Sequence, residues 1–178
     1  MCRRLAPLLL LAALVACRPE EDSFVRGHGL TVAAVTPADR AQIVDASIHA
    51  AFDVSPDLNL RFHPRQLPRT AGDSGGEPVS PALVKAMRDR GLVSGMCTPV
   101  RTSAKNTPHC STADAGYIIR VSDVFSLSRD TSEIYFAAEK YGAQTGQKPE
   151  ALRFEKVYQL VKGGQRWRVA REGRLHEQ

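Results

Sequence analysis

Apolar residues recur at helical spacing in the segment that follows Thr36. They occupy positions 41, 44, 48, 51 and 52, which form one stripe along a helix of about 3.6 residues per turn. Thr36 is a favoured N-cap residue, Pro37 suits the first helical position, and Asp39 lies near the positive end of the helix dipole. The pattern therefore predicts a helix that begins after Thr36 and ends at Ser55-Pro56.

A second helix is predicted between Ser80-Pro81 and Gly91, because the apolar residues at 83, 84 and 87 fall on one face. Between the two helices, apolar and polar residues alternate from Leu58 to Phe62, which indicates a strand. Residues 30–35 are predicted to be extended. Residues 63–80 are rich in Pro and Gly and have no periodicity, so they are predicted to form a loop.

The rest of the chain has the alternation that is typical of antiparallel strands, which we predict at 116–121, 133–141, 151–161 and 165–171. Gly163-Gly164 joins the last two strands, and a two-residue Gly-Gly link suits a type I′ turn. With that turn, the predicted cross-strand pairs are Leu160 with Trp167, Tyr158 with Val169, and Lys156 with Arg171.

This register divides the predicted hairpin into an apolar face and a polar face, as expected for a sheet with helices on one side and water on the other. The apolar face carries Phe154, Tyr158, Leu160, Trp167 and Val169, and the polar face carries Arg153, Glu155, Gln159, Arg166 and Arg168. The predicted fold class is α+β, with two helices packed on one face of a mainly antiparallel, meander-type sheet. Residues 158–167 resemble the closing hairpin of cystatin-like and nuclear-transport-factor-2-like domains, in which a curved sheet wraps a long N-terminal helix.

The first 17 residues have the features of an export signal. Arg3 and Arg4 precede an apolar run of about 11 residues, which is shorter than the ~20 residues that a membrane-spanning helix needs. The run closes with Leu14-Val15-Ala16-Cys17, which resembles the lipobox of bacterial lipoproteins. The resemblance implies that Cys17 becomes the first mature residue and carries a diacylglyceryl group and an acylated amine. An ordinary secretory signal that ends at a cysteine is the alternative.

The lipobox resemblance also implies a location. In the enterobacterial pattern an Asp after the lipidated cysteine retains a lipoprotein at the inner membrane, whereas Arg18 stands at that position here. We therefore expect a lipid anchor on Cys17 in the outer membrane, with the protein facing the periplasm. The expected organisation is a signal peptide at 1–16, a polar tether at 17–28 and a single α+β domain at 29–178.

Cysteine content agrees with export to an oxidising compartment. Of the 4 cysteines, Cys2 leaves with the signal and Cys17 is committed to lipid, so the domain keeps Cys97 and Cys110. Two cysteines that flank a polar, Pro-containing loop predict one disulfide. A metal site that uses His109 and His63 is the alternative, but the chain lacks the paired spacing of a zinc site. No metal and no cofactor are therefore expected.

The net charge of the chain and its distribution limit the classes of partner that we expect it to bind. Removal of residues 1–16 leaves 162 residues with 22 basic and 19 acidic side chains, a balance too mild to indicate nucleic-acid binding. Basic residues gather after position 148, which favours an acidic protein partner or anionic lipid headgroups. The first functional hypothesis is thus a non-enzymatic envelope lipoprotein that binds or scaffolds another envelope component, with Arg153, Arg166 and Arg168 as contact residues.

The second hypothesis is a pocket between sheet and helices that binds a small ligand or performs simple acid/base chemistry. Lys156 supports it, because this residue interrupts the apolar pattern of its strand face. A lysine at the edge of the core, with its stem packed and its ammonium in water, explains the same pattern. A buried acid next to Lys156 or Tyr158 would favour the pocket.

Two further sequence patterns give weaker evidence for a catalytic or binding site. Gly72-Asp73-Ser74-Gly75-Gly76 looks like the nucleophile loop of trypsin-like serine proteases, with Ser74 as nucleophile. That mechanism needs an oriented histidine and a buried aspartate upstream, where this chain predicts a helix, so we reject it. Asp45, His49 and Asp53 share one face of the first predicted helix, which is usual for a solvated face.

Overall fold

Helix α1 (Pro37–Ala51) begins where the sequence predicts. The Thr36 side chain accepts a hydrogen bond from the Asp39 backbone N–H at 3.1 Å, and Pro37 occupies the first turn. The predicted N-cap is therefore confirmed. Helix α2 (Pro81–Asp89) also starts at its predicted proline and buries the three predicted apolar residues, Leu83, Val84 and Met87.

The computed structural model describes residues 23–25, 30–52, 58–68, 76–100, 109–111, 116–141 and 153–176. The strands within these ranges are β1 Ser23–Val25, β2 Thr31–Val32, β3 Leu60–Phe62, β4 Gly95–Met96, β5 Thr98–Val100, β6 His109–Ser111, β7 Gly116–Ser128, β8 Thr131–Tyr141, β9 Arg153–Gly163 and β10 Arg166–His176. β1 falls inside the segment that was predicted as a polar tether. β7 and β8 extend to a turn at 129–130, so the two strands are longer than predicted.

The large sheet is mixed, in the order β1-β10-β9-β8-β7-β3-β4, with β2 paired to β7 outside this path. β7, β8, β9 and β10 lie side by side in chain order, and each is antiparallel to the next. β3 is parallel to both β4 and β7, and β1 is parallel to β10. The α+β class and a mainly antiparallel sheet are thus present, with parallel pairs at both edges.

The predicted register of the last hairpin is wrong. Trp167 lies opposite Lys162 and Val169 opposite Leu160, a shift of two residues from the prediction. Beyond a bulge between Val169 and Arg171, Arg174 lies opposite Lys156, a shift of three residues. The turn consists of Gly164 and Gln165, and Gly164 alone has a positive φ, of 63°, which is the φ pattern of a type II′ turn with glycine at its first central position. Because side chains alternate with a period of two, the two-residue shift at Trp167 and Val169 leaves the predicted apolar face intact.

The larger core cluster lies on that apolar face. It combines buried residues of α1, α2 and β3 with buried residues of β7–β10, and Phe154, Tyr158, Leu160, Trp167 and Val169 all belong to it or pack against it. The predicted membership of this face is confirmed.

The opposite face of the sheet is not uniformly solvated, contrary to the prediction. A second cluster of buried residues lies there: Leu67, Phe125, Tyr135, Ala137 and Val157, with Leu30 packed against them. Leu67 comes from the segment that was predicted as an aperiodic loop, and its backbone N–H donates to the Val121 carbonyl at 2.9 Å. This segment therefore packs on the sheet and removes part of the outer face from water.

Candidate functional site

A cleft of about 440 Å³ lies between α1 and the turn that joins β9 to β10. We call it the α1–hairpin cleft. Its lining combines two amides, a carboxylate, a methyl group, a guanidinium and an indole, contributed by Gln42, Asp45, Ala46, Gln165, Arg166 and Trp167. Arg166 was predicted as a partner-binding residue, so one predicted contact residue borders this cleft. The second functional hypothesis predicted a pocket between sheet and helices, and this cleft lies between α1 and the β9–β10 hairpin.

The helix and the hairpin are joined beside the cleft by the Asp39 carboxylate. Lys162 Nζ and Trp167 Nε1 each donate to Asp39 Oδ1 at 2.9 Å. The hydrogen bond from Lys162 holds the pKa of Asp39 below its ordinary value, and the bond from Trp167 adds to this effect. Asp39 is therefore a structural anion with its donors in place, which fixes the first turn of α1 against β10.

The acid in the cleft lining is also neutralised. Asp45 pairs with the guanidinium of Arg90, and its other oxygen lies 2.9 Å from His49 Nδ1. The predicted sharing of a helix face by Asp45 and His49 is thus observed, while Asp53 lies outside the described residues. Gln42 Oε1 accepts the backbone N–H of Trp167 at 3.4 Å. With Asp45 paired, Arg166 is the charged lining group that remains available.

Arg166 and Arg168 differ from the other cations of the hairpin. Lys162 pairs with Asp39, and Lys156 Nζ lies 3.2 Å from Glu172 Oε1. By contrast, Arg166 and Arg168 are exposed on β10, and neither makes an ion pair with any residue of the described part of the chain. We call these two residues the tip arginines. They stand two positions apart and so project from the same face of the strand.

The three arginines that were predicted to form one contact surface do not lie together. Arg166 is opposite Gly163 near the turn, whereas Arg153 is opposite Glu139 at the far end of β9. Ten strand positions separate Arg153 from Gly163, which corresponds to about 33 Å. A surface built on the tip arginines therefore does not include Arg153.

Within the described ranges, neither Lys156 nor Tyr158 contacts a buried acid. The partner of Lys156 is Glu172, whose side chain is 51% exposed, and the Lys156 ammonium also lies 5.8 Å from the centre of the Phe154 ring. The Tyr158 hydroxyl is buried and has no hydrogen-bond partner within the described ranges. Burial raises the pKa of this hydroxyl, and the charge of Glu172 raises it further. These contacts fit a lysine at the edge of the core.

One buried acid was missed by the sequence analysis. Glu133 is 4% exposed on the outer sheet face, where Gln159 Nε2 donates to Glu133 Oε2 at 3.2 Å and the Tyr135 hydroxyl also donates to the carboxylate. Burial raises the pKa of Glu133 despite these bonds. The alternation of Glu133 with Ile134 placed it on the solvated face, and the sequence carried no signal that this face would be covered.

The predicted disulfide residues lie beside a small two-stranded ribbon. Cys97 is 3% exposed and is disulfide-bonded. The backbone of β6 places Cys110 opposite Pro99, two residues from Cys97. Cys17, the predicted lipidation site, and Ser74 lie outside the described residues.

The described residues contain no group of three or more His, Cys, Asp or Glu side chains that could hold a metal ion. Among the helices in the described ranges, none is long and apolar enough to span a membrane. No protein-family model matches the chain, and no curated protein and no solved structure matches it significantly.

Proposed function

We propose that this protein is a lipoprotein of the bacterial envelope, anchored through Cys17, that binds an anionic envelope component without catalysing a reaction. The observation that carries the binding role is the pair of exposed tip arginines, which have no ion-pair partner in the described part of the chain. An unpaired arginine presents a planar fork of donors that suits carboxylate and phosphate groups. The lipobox-like sequence at 14–17 supports the anchor, and the outer membrane remains the proposed location.

The finer arrangement of the domain belongs to the same proposal. We infer that α1 and α2 form one layer over a meander of β7–β10, because both helices contribute buried residues to the larger core cluster. We also infer that Cys97 pairs with Cys110, since Cys110 lies opposite Pro99, two residues after Cys97, and Cys97 is in a disulfide. A disulfide that closes such a loop contributes about 3 kcal/mol in the chain-entropy model.

The anchor is tested by the mass of the N-terminal peptide of protein purified from its own membranes. We expect cleavage before Cys17 and an acylated cysteine, and we expect Cys17→Ser to release the protein from the membrane. An unmodified Cys17 in membrane-bound protein would contradict the anchor.

The binding role is tested by chemical crosslinking in the native membranes, followed by mass spectrometry of the crosslinked species. The variant is Arg166→Glu with Arg168→Glu, and the matched control is Arg88→Glu with Lys140→Glu, which changes the net charge equally at two other exposed positions. Crosslinks that are lost in the first variant and kept in the control support the proposal. Identical crosslinks in both variants contradict it, provided that both unfold at the wild-type temperature.

A second candidate function is the binding of a small polar ligand in the α1–hairpin cleft. The observation in its favour is the convergence of the Gln42 and Gln165 amides with the Arg166 guanidinium around one concavity. Ala46→Phe fills the cleft without removing a polar lining group. A ligand that raises the unfolding temperature of the wild type and not of Ala46→Phe would establish this function, whereas equal shifts would exclude the cleft.

A further inference from the structure

The direction of β1 determines where the chain leaves the sheet towards the anchor. β1 pairs in parallel with the end of β10, with Ser23 opposite Arg174 and Val25 opposite His176. β10 runs from the hairpin turn at Arg166 to His176. In a parallel pair the N-terminal end of one strand lies at the N-terminal end of the other. Ser23 therefore lies on the edge of β10, and the N-terminal end of β1 is directed towards the tip arginines.

The length of chain between the anchor and the sheet matches the distance to the tip. Six residue steps separate Cys17 from Ser23, and six strand positions separate Arg174 from Arg168. An extended chain spans at most about 3.3–3.6 Å per residue, which limits the first distance to about 20–22 Å. The second distance is about 20 Å along β10. A chain that continues in the direction of β1 brings Cys17 level with Arg168. A chain that leads to the opposite end of the sheet must first reverse its direction.

Charge at this end of the sheet is suited to an anionic surface. The turn between β7 and β8 lies at the same end, because Thr131 is opposite Val161 and the Asp130 carbonyl accepts the Lys162 N–H at 2.9 Å. Arg129 of this turn is exposed. Among the described residues, the charged groups at this end include three exposed arginines (Arg129, Arg166 and Arg168) and Asp130, while Asp39 is paired with Lys162 and Asp45 with Arg90.

We infer that the tip arginines contact the anionic phospholipid headgroups of the membrane that holds the lipid of Cys17. This inference rests on the proposed lipidation of Cys17 and names the anionic component of that proposal. Basic side chains close to an anionic leaflet are attracted to it, and the attraction falls off within a Debye length. A lipid anchor that holds the tip within that range supplies the required proximity, and the tip arginines then fix the orientation of the domain.

The experiment measures the depth of two positions in the lipidated protein reconstituted in vesicles. A fluorophore is attached at Gln165→Cys, next to the tip arginines, or at Lys140→Cys, at the opposite end of the sheet. Quenchers are attached to the lipid headgroups. In vesicles that contain phosphatidylglycerol, we expect severalfold stronger quenching at 165 than at 140. We expect the quenching at 165 to fall in phosphatidylcholine vesicles, at high salt and in Arg166→Glu with Arg168→Glu. We expect it to stay unchanged in Arg88→Glu with Lys140→Glu.

Each other result overturns the inference. Stronger quenching at 140 reverses the orientation, and equal quenching at 165 in both lipid compositions removes the role of headgroup charge. Absence of quenching at both positions assigns the tip arginines to an acidic protein partner instead. The mass of the Cys17 peptide is determined on the same sample, so an absent acyl group refutes the proposed anchor and is distinguished from a wrong orientation.

Discussion

Two buried tyrosines on opposite faces of the sheet test how much the hydrogen bonding of a buried hydroxyl contributes to the free energy of unfolding. Tyr135 and Tyr158 both have no exposed surface, and they occupy neighbouring strands, β8 and β9. The Tyr135 hydroxyl donates to the Glu133 carboxylate, whereas the Tyr158 hydroxyl has no hydrogen-bond partner within the described ranges. The same substitution, Tyr→Phe, is therefore expected to change the free energy of unfolding in opposite directions.

The magnitudes follow from the state of each hydroxyl. A buried hydroxyl without a partner costs about 1–3 kcal/mol, and replacement by Phe removes that cost but leaves a small void. We expect Tyr158→Phe to raise the free energy of unfolding by about 0–2 kcal/mol. A hydrogen bond to a charged group contributes about 1.5–3 kcal/mol, and within the described ranges Glu133 would keep its bond from Gln159. We expect Tyr135→Phe to lower the free energy of unfolding by about that amount.

The assay is urea unfolding of the oxidised protein at neutral pH, with equal denaturant slopes required of all three proteins. For a domain of this size, about 1 kcal/mol corresponds to a shift of about 2–4 °C in the unfolding temperature. A loss of more than about 1 kcal/mol in Tyr158→Phe would show that this hydroxyl has a partner in the folded protein. An unchanged Tyr135→Phe would refute the contribution assigned to its bond with Glu133.

Three further changes test the buried acid, the helix–hairpin junction and a close backbone contact. Because the pKa of Glu133 is raised in the folded protein, its neutral form stabilises the fold below about pH 4, and this stabilisation is lost as the pH rises through the raised value. In urea unfolding, the free energy of unfolding of Glu133→Gln should therefore increase relative to that of the wild type between acidic and neutral pH. A difference in free energy that stays constant with pH would contradict the raised pKa. The pKa of Asp39 is lowered, so its contribution to the free energy of unfolding is present above the ordinary aspartate pKa and is lost as the pH falls through the lowered value. Asp39→Asn should lower the free energy of unfolding by about 1 kcal/mol at neutral pH and leave it unchanged at strongly acidic pH. Lys162→Met is the matched variant that removes the other partner. A Cβ at Gly116 would overlap the Asn59 carbonyl oxygen, whereas a Cβ at Gly163 meets nothing within 4 Å. Thermal unfolding should therefore show a large loss of stability for Gly116→Ala and little change for Gly163→Ala. Equal effects would contradict the close approach of β7 to Asn59.

Local sequence determined the elements that depend on neighbouring residues. Thr36 and Pro37 specify the start of α1, because an N-cap and a first-turn proline act within one helical turn. The alternation around Leu160 and Val169 specified which side chains face the core, and it survived a wrong register because a shift of two residues preserves the face. The Trp167 indole was predicted to lie in the core. A buried indole N–H usually needs a hydrogen-bond acceptor, so its presence indicated that a polar partner would lie nearby.

Contacts between distant residues were decided by tertiary structure. The hydrogen bonds of Asp39 join residues more than 120 positions apart, so no local pattern could predict that α1 and the hairpin enclose a cleft. The separation of Arg153 from Arg166 depends on the direction of two strands, and the buried state of Glu133 depends on which segment covers the outer face. Sequence by itself thus determined the starts of the two helices and the alternation along β8, β9 and β10, because these are properties of adjacent residues. The strand register, the covering of the second face and the position of β1 relative to the tip arginines required the tertiary structure, because each is fixed by packing and pairing across the whole chain.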